Sequence, residues 1–336
     1  MMRFLFKPLF SALLAQLWVL ALASAMLLAM GLWGFNRLDA PNASLQNSAY
    51  FDVEAGQNLR QITKNLAAQG LIADDPLYNL SALAYLRLKP TAVQAGSYEI
   101  PAQASFIDIL ALFASGKTAQ YAVTIPEGLT AKAIVALLNS KEFLSGRINQ
   151  PPAEGSLLST TIFVHRNESR AAVISKLQAL LAAQLKELWA KRASDLPYQN
   201  PQEALIMASI IQKESALLDE QPLIAGVFMN RLNQNWRLQA DSTLVYWASD
   251  QSGVLGRGLL QSELDQDHPY NSYKNRGLPP GPIANVGLSA LKAALNPSRH
   301  DYFYFVADGT GGHTFAKTLK EHNRNVQAWR KIEQEL

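Results

Sequence analysis

Apolar residues are distributed unevenly along this chain, and the longest apolar stretch lies at its beginning. Residues 8–36 contain no charged side chain and consist mostly of Leu, Ala, Met, Trp, Val and Phe. A helix of roughly 20 such residues crosses the hydrocarbon core of a bilayer. The apolar core of a cleavable signal peptide is usually only about 7–15 residues long. The pattern therefore predicts that residues 1–36 form a short amino-terminal segment and a retained transmembrane anchor, with a cleaved signal peptide as the alternative.

Charge at the two ends of this stretch predicts its orientation. The amino terminus, Arg3 and Lys7 precede the apolar residues, and basic flanks of membrane helices stay in the cytoplasm. Trp33 and Phe35 are aromatic residues suited to the opposite membrane interface. Because no second apolar run of comparable length follows in the sequence, we expect a single-pass protein whose remaining residues lie outside the cytoplasm.

A regular pattern begins after a polar stretch at residues 37–49, which predicts a linker. Phe51 and Val53 alternate with polar residues as in a strand, and residues 55–58 suit a turn and a helix cap. Apolar residues then recur at helical spacing, at Leu59, Ile62 and Leu66. These residues predict one strand–turn–helix unit.

The same pattern returns 72 positions later, which indicates that the unit is used twice. Its equivalent positions are Val123, Ile125, Gly128, Thr130, Ile134 and Leu138. A short strand is predicted between the copies at 95–100, and a helix at 105–113. We expect a small module at residues 50–118 and a larger domain at residues 119–336. The predicted fold class is α+β, with an N-terminal transmembrane helix, a small β/α module and a larger mixed α/β domain.

One carboxylate in the larger domain sits where apolar residues prevail. Residues 201–218 read as a helix, for which Asn200 can serve as the cap. Counting back from Glu214 by three, four and seven places it on the face of Ile211, Ile210 and Met207. Burial there would raise its pKa and keep it protonated for general-acid chemistry. The alternative is a structural Glu214 that turns to water or pairs with a basic residue.

Polar residues also punctuate the apolar runs that follow. Asn230 and Arg231 are predicted on a helix beside the first one, whereas Gln239, Asp241 and Thr243 alternate with apolar residues as on a strand or its entry loop. Asn271 and Tyr273 come next. Residues 277–285 are rich in Pro and Gly, which fix or free the backbone and suit a rigid loop around Pro280 and Gly281.

Composition excludes several kinds of site. The chain has no cysteine, so a disulfide, a thiol nucleophile and a Cys-based zinc site are impossible. Of the 30 Lys and Arg residues, the 28 other than Arg3 and Lys7 are almost matched by 27 Asp and Glu residues, which argues against nucleic-acid binding. The spacing of His313 and His322 matches no standard zinc pair, and no HExxH motif occurs. We expect neither a metal nor another cofactor.

Taken in order, these segments resemble the endolytic murein transglycosylase family of membrane-anchored peptidoglycan lyases. The matching segments are 208–214, 227–232, 238–241, 270–273, 277–283, 304–306, 312–315 and 321–323. The first strand–turn–helix copy resembles a LysM-like module, a small β/α unit that binds N-acetylglucosamine-containing glycans. No single segment is specific to this family, but the ordered set is, and it covers most of residues 120–330.

The resemblance implies a catalytic domain at residues 119–336 in which Glu214 is the only acid required. Such an enzyme cleaves the bond between N-acetylmuramic acid (MurNAc) and N-acetylglucosamine (GlcNAc) in nascent strands. It forms 1,6-anhydro-MurNAc and ends strand elongation. The bacterial inner membrane, a periplasmic catalytic domain and peptidoglycan-synthase partners are further family expectations. The residues expected to contact the substrate are Asn230, Gln239, Asp241, Asn271, Tyr273, Pro280 and Gly281.

The chain departs from the family pattern at three places. Gln212 replaces an acidic residue two positions before Glu214, Ser242 replaces a proline, and residues 156–162 lack the usual aromatic and Pro-Asp features. Two other functions stay open. A hydrolase would need a second carboxylate, for which Asp241 and Glu203 are available. A non-catalytic glycan-binding scaffold on the membrane would not need Glu214 at all.

Overall fold

The computed structural model describes residues 6–334, and they divide into two compact units. The first unit ends at Tyr121 and the second begins at Ala122. The fold is mixed α and β, as the sequence predicts, with three separate two-stranded sheets among the described residues. Arg3 lies outside the described residues, and so does the side chain of Lys7. Their predicted cytoplasmic location stays a prediction.

The first unit begins with helix α1 (Phe6–Asp39), which contains the apolar stretch. Its part from Ala15 to Asp39 contains an 18-residue stretch with a mean hydropathy of 1.9, of which only 6% is buried. Among the described residues, this is the one helix long and apolar enough to cross a membrane. A signal sequence would have the same properties, so a retained anchor and a cleaved signal peptide are both consistent with this helix.

The rest of the first unit is a small β/α fold whose elements follow from local signals. Asn58 caps α2 in a reciprocal capping box with Gln61, and Ser105 caps α4. Phe51 lies opposite Tyr98 in the antiparallel sheet, and both side chains are fully buried. The elements are β1 (Ala49–Val53), α2 (Leu59–Ala68), α3 (Pro76–Leu88), β2 (Gly96–Ile100) and α4 (Phe106–Ser115).

Two features of this unit differ from the sequence predictions. Residues 37–49, predicted as a linker, pack onto the unit. Leu38 and Leu45 are only 1% and 8% exposed, and the side chain of Asn42 donates to the Leu71 carbonyl at 2.8 Å. Helix α3 has no counterpart among the predictions. It carries apolar residues around its whole circumference, so it lacks the one-sided pattern by which a helix is recognised.

The second unit opens with the predicted repeat, which the structure confirms. Thr130 caps α5 as Asn58 caps α2, and Gly128 has a left-handed φ of 77° where Gly56 has 85°. Strand β3 pairs with β4 rather than with β2. The elements are β3 (Gln120–Thr124), α5 (Ala131–Asn139), β4 (Thr161–His165) and α6 (Arg170–Ala190), with β3 running across the division between the units.

The remaining elements surround one buried helix, α7 (Pro201–Glu214), which packs against α6, α8, α9 and α11. Asn200 caps α7 as predicted. Ile210 and Ile211 are fully buried, and burial of such a side chain is worth about 1.5–3 kcal/mol. The other elements are α8 (Gln221–Asn233), α9 (Asp241–Ala248), α10 (Gln261–Asp265), α11 (Leu288–Leu295), β5 (Tyr304–Ala307), β6 (His313–Ala316) and α12 (Leu319–Glu333).

Two predictions are wrong: the end of α7 and the secondary structure around Asp241. The helix ends at Glu214 rather than Leu218, because Ser215 adopts an extended conformation. The residues after it turn outward, and Leu218 is 56% exposed. The alternation around Asp241 does not form a strand. Asp241 begins helix α9, and Thr243 is buried with its hydroxyl donating to the Ala240 carbonyl at 2.8 Å.

Candidate active site

Glu214 is the last residue of the buried helix α7. The turn before it is fixed in the core by Ile210 and Ile211, whereas Glu214 itself is half-buried and retains access to solvent. Carbonyl groups at the C-terminal end of a helix carry partial negative charge, which disfavours a carboxylate there. The position therefore combines a rigid support with an environment that favours a neutral carboxyl group.

Ser242 holds this carboxyl group from the neighbouring helix α9. Its hydroxyl donates to Oε1 of Glu214 at 2.6 Å. Ser242 is 8% exposed and is the second residue of α9. The bond fixes the direction of the Glu214 side chain. It also involves the residue at which the chain departs from the family pattern, and a proline at that position could not donate it.

The pKa of Glu214 is raised above its ordinary value, and burial is the main cause. The hydrogen bond from Ser242 acts in the opposite direction because it stabilises the carboxylate. The negative charge of Asp241 raises the pKa of Glu214 further, whereas His313 and Arg231 lower it. Glu214 therefore keeps its proton to a higher pH than a solvent-exposed glutamate, which is the property required of a general acid.

A tyrosine–aspartate pair lies beside Glu214. The hydroxyl of Tyr273 donates to Oδ1 of Asp241, the exposed first residue of α9. Burial, and then the bond to Asp241, raises the pKa of Tyr273. Tyr273 thus remains a protonated donor. The structure brings these two predicted site residues together with Glu214.

Arg231 supplies buried positive charge to the same region. It is 7% exposed, its Nε donates to the Phe303 carbonyl at 2.8 Å, and Nη1 donates to the Leu238 carbonyl. Its guanidinium lies over the Tyr304 ring, with Cζ 5.7 Å from the ring centroid. Arg231 therefore ties helix α8 both to the strand β5 region and to the loop that leads into α9.

The end of α7 is also tied to strand β6 by Glu220, a residue that the sequence analysis missed. The backbone N–H of His313 donates to Oε1 of Glu220 at 2.8 Å, and Nδ1 of His313 lies 2.8 Å from Oε2. The Ser215 hydroxyl lies 3.4 Å from the same Oε2. Gly312 lets the strand approach, since a Cβ there would lie 2.7 Å from Oε1.

Two predicted substrate-contact residues use their side chains to bind the backbone. Nδ2 of Asn230 donates to the carbonyls of His300 and Tyr302 at 2.8 and 2.9 Å. Asn271 is fully buried, and its Nδ2 donates to the carbonyls of Leu264 and Gln266. Both amides have structural partners, so the geometry gives their predicted sugar contacts no support.

The other three predicted contact residues are accessible. Gln239 is exposed and has a left-handed φ of 51°; strained backbone of this kind in a non-glycine residue costs about 1 kcal/mol or more and is found preferentially at functional sites. Pro280 is exposed as well. Gly281 is half-buried, and a Cβ there would lie 3.0 Å from the Tyr270 hydroxyl. The structure therefore leaves the roles of these residues as predictions.

A second half-buried carboxylate, Glu154, is held by structural hydrogen bonds. It accepts from the backbone N–H of Ala131 at 3.0 Å and from Nδ2 of Asn285 at 2.9 Å. Burial raises the pKa of Glu154. The fully buried Asn285 also accepts from the N–H of Leu157 and donates to the Leu129 carbonyl. The network fixes the end of the Pro/Gly loop against the divergent segment 156–162.

The geometry also bears on the alternative chemistries. Glu203 and Glu214 are 11 residues apart on α7, a rise of roughly 16 Å at 1.5 Å per residue. Paired carboxylates of glycosidases are roughly 5–9.5 Å apart, so Glu203 cannot serve as the second carboxylate, whereas Asp241 is close enough for its charge to act on Glu214. His313 contacts Glu220, and the His322 ring stacks on Tyr304. Within residues 6–334 no group of three or more His, Cys, Asp or Glu side chains could hold a metal ion.

Comparison with known proteins confirms the resemblance seen in the sequence. An endolytic murein transglycosylase of Bacillus subtilis strain 168 is 27% identical over 330 residues, 87% of this chain and 88% of that protein. One of Streptococcus pneumoniae serotype 2 strain D39 is 28% identical over 323 residues, which covers 82% of this chain and 57% of the longer pneumococcal protein.

A crystal structure and a family model agree with these relatives. The structure of a putative yceG-like protein from Listeria monocytogenes is 28% identical, with a TM-score of 0.51 over 83% of this chain and 98% of that one. The model described as the YceG-like family matches residues 51–328, which include nearly all of both strand–turn–helix units and every residue of the site around Glu214. The chain belongs to the YceG-like family.

Proposed function

We propose that this chain is an endolytic murein transglycosylase, a lyase that cuts the bond between MurNAc and GlcNAc in nascent peptidoglycan strands and so ends their elongation. The observation that carries the proposal is Glu214, a half-buried carboxyl group with a raised pKa at the end of a rigid helix. Relatives named endolytic murein transglycosylase, at 27–28% identity, support the same activity.

The proposed reaction needs one residue that acts first as an acid and then as a base. Protonated Glu214 donates its proton to the glycosidic oxygen, and the bond from that oxygen to C1 of MurNAc breaks. Positive charge then spreads over C1 and the ring oxygen. The Glu214 carboxylate takes the proton from the C6 hydroxyl of the same sugar, whose oxygen bonds to C1. The ring closes as 1,6-anhydro-MurNAc, Glu214 is again protonated, and no water is consumed.

The residues around Glu214 have roles that follow from their contacts. Ser242 orients the carboxyl group and stabilises the carboxylate formed after the first proton transfer. The charge of Asp241 favours the protonated form that starts the reaction. An intramolecular nucleophile has a large advantage of proximity if the sugar is held in place. We assign that holding role to exposed or partly exposed residues: Gln239, Asp241, Tyr273, Pro280 and Gly281.

The first unit would place this activity at a membrane. We propose that α1 is a retained single-pass anchor in the bacterial inner membrane, with its amino terminus in the cytoplasm and the catalytic domain in the periplasm. Its apolar length supports a span. We further propose that residues 50–118 are a LysM-like glycan-binding module. An open cavity of about 450 Å³ lies between α2 and α3, with a mostly apolar lining bordered by Arg60, Lys64 and Asn79, and offers a surface for sugars. Peptidoglycan synthases are the expected partners.

Mass analysis of the products of peptidoglycan strands treated with the full-length protein in detergent tests the proposal. The Glu214→Gln variant is compared with Glu203→Gln, a matched change on the same helix. Glu203 accepts from the N–H of Gln199 and from Asn200, and a glutamine oxygen can still accept one of these bonds. We expect 1,6-anhydro ends from the wild type and Glu203→Gln, and a rate at least about 100-fold lower with Glu214→Gln.

Other outcomes would replace the proposal by one of its alternatives. Products with reducing ends would indicate a hydrolase that uses Asp241 as its second carboxylate. Retention of glycan without cleavage, in the wild type and in both variants, would indicate a binding scaffold. Equal cleavage by wild type and Glu214→Gln would remove Glu214 from the mechanism.

A further inference from the structure

Helix α3 carries apolar side chains on the face that points away from the core of the first unit. Its inner face consists of Tyr78, Ala82 and Leu86, which are at most 9% exposed. The outer face carries four apolar residues spaced by three, four and four positions, a spacing that aligns them along one side of a helix. This outer stripe consists of Leu77, Leu80, Ala84 and Leu88, and its three leucines are 51%, 61% and 83% exposed.

The outer stripe adjoins the end of the apolar helix α1. The two helices run in opposite directions, because Arg37 pairs with Asp75 at 2.7 Å and Gly34 packs against Ser81. A Cβ on Gly34 would lie 2.6 Å from the Ser81 hydroxyl. Both helices line an apolar groove of about 260 Å³, in which Met30 and Trp33 of α1 face the leucines of α3.

The depth of α1 in a bilayer sets the level of the outer stripe. The charge-free run covers residues 8–36, and roughly 20 residues fill the hydrocarbon core. If the run is centred in the bilayer, the hydrocarbon ends near residue 32, and Gly34 and Arg37 lie among the headgroups. Residues of α3 that contact this part of α1 lie at the same level. Since the helices are antiparallel, Leu88 lies nearest to the hydrocarbon.

Charge at the end of α3 fits the same surface. Arg87 and Lys89 flank Leu88, and all three side chains are exposed. Long basic side chains can extend along apolar surface and place their charge among phosphate groups. Apolar area that enters the bilayer and basic side chains that meet anionic headgroups both strengthen a peripheral membrane contact.

We propose that the outer stripe of α3 is a membrane-docking surface whose occupant is the outer leaflet of the phospholipid bilayer. The inference rests on the proposed retention of α1 as an anchor, because only that helix sets the depth of the stripe. It goes beyond the anchor in assigning a second, peripheral membrane contact to the first unit. The contact would hold the proposed glycan-binding module at the bilayer surface instead of letting it swing on a tether.

Spin labels at single cysteines test this contact directly, because the chain has no cysteine of its own. The full-length protein is labelled at Leu80→Cys or Leu88→Cys and placed in nanodiscs of phosphatidylethanolamine and phosphatidylglycerol. Glu54→Cys, in the exposed turn after β1, is the aqueous control. Leu22→Cys, in the middle of α1 and 66% exposed, is the lipid control. Collision rates of each label with oxygen and with a water-soluble nickel chelate show whether the label lies in lipid or in water.

We expect labels at positions 80 and 88 to show higher oxygen and lower nickel accessibility than the label at 54, with values between those at 54 and 22 and with position 88 nearer to 22. Nickel accessibility at 80 and 88 equal to that at 54, with a lipid signal at 22, would overturn the docking surface and leave the anchor intact. Dipolar broadening at 80 or 88 that disappears on dilution with unlabelled protein would overturn it in favour of contact with a second copy. An aqueous signal at 22 would overturn the anchor and the docking surface together.

Discussion

Replacing Ser242 with alanine should extend the proposed glycan cleavage to higher pH. The Ser242 hydroxyl donates to Oε1 of Glu214 at 2.6 Å and stabilises the carboxylate, which lowers the pKa of Glu214. Without the hydroxyl, Glu214 binds its proton more tightly. Activity requires the protonated form at the start of the reaction, so the loss of activity on the alkaline side should occur at a higher pH in the variant.

The size of this effect follows from the strength of the hydrogen bond. A hydrogen bond to a charged group contributes about 1.5–3 kcal/mol. Glu214 is half-buried, so water can replace part of the lost interaction, and the lower end of that range applies. About 1.4 kcal/mol corresponds to a tenfold change in proton affinity. The expected change is therefore large enough to measure in a pH–rate profile.

Asp241→Asn provides the opposite change at the neighbouring residue. The negative charge of Asp241 raises the pKa of Glu214, so its removal should shift the alkaline loss of activity to lower pH. Asparagine still offers an oxygen to the Tyr273 hydroxyl, which keeps that contact. The two variants are thus predicted to shift the profile in opposite directions for purely electrostatic reasons.

The assay is the initial rate of release of soluble fragments from peptidoglycan, measured against pH for wild type, Ser242→Ala, Ser242→Thr and Asp241→Asn. Threonine retains a hydroxyl and should keep the wild-type midpoint, even if the maximum rate falls. Identical midpoints for Ser242→Ala and wild type, or a shift of both variants in the same direction, would refute the assignment of Glu214 as the titrating acid.

Two further predictions concern residues around the site. Gln239→Gly should raise the free energy of unfolding by about 1 kcal/mol, because glycine adopts a positive φ without strain; thermal unfolding measures this change. The same variant should raise KM in steady-state kinetics if the Gln239 side chain holds sugar, and an unchanged KM would remove Gln239 from the substrate contacts. Asn285→Ala should lower the free energy of unfolding by about 2–4 kcal/mol, because it leaves the buried partners of a fully buried amide unpaired. A decrease below about 0.5 kcal/mol in chemical denaturation, on the order expected for surface positions, would show that this network contributes little to stability.

The central residue of the site could be predicted because its signals are local. Asn200 and Pro201 mark the beginning of α7, and the apolar spacing places Glu214 beside Ile210 and Ile211. The repeated strand–turn–helix unit could be predicted for the same reason, since caps and turns depend on neighbouring residues. Local signals of this kind predict where a helix or strand lies in the sequence and on which of its faces a residue is placed.

The partners of Glu214 depend on tertiary contacts, which no local pattern reports. Ser242 is 28 residues away in the chain, and Glu220 reaches His313 across 93 residues. Asn230 and Asn271 have the composition of sugar-binding residues, yet their amides satisfy backbone carbonyls that become buried only in the folded chain. Without knowing which loops are buried, the sequence cannot separate these two uses of an asparagine.

Helix α3 shows a different limit. Its inner face packs in the core and its outer face carries Leu77, Leu80 and Leu88, so the polar side that normally reveals an amphipathic helix is missing. The residues that obscure the helix in the sequence are the ones that form the proposed membrane-docking surface. Apolar residues on two faces of a helix therefore indicate that the helix contacts a second apolar environment besides the protein core.

Cleavage of peptidoglycan strands in water enriched in oxygen-18 tests the central claim most directly. In the proposed reaction the C6 hydroxyl of MurNAc closes onto C1, so water supplies no atom to the new end. With the full-length wild type we predict 1,6-anhydro ends without oxygen-18, and we predict none of these products with Glu214→Gln. Reducing ends that carry one oxygen-18 atom would contradict the account and establish hydrolysis.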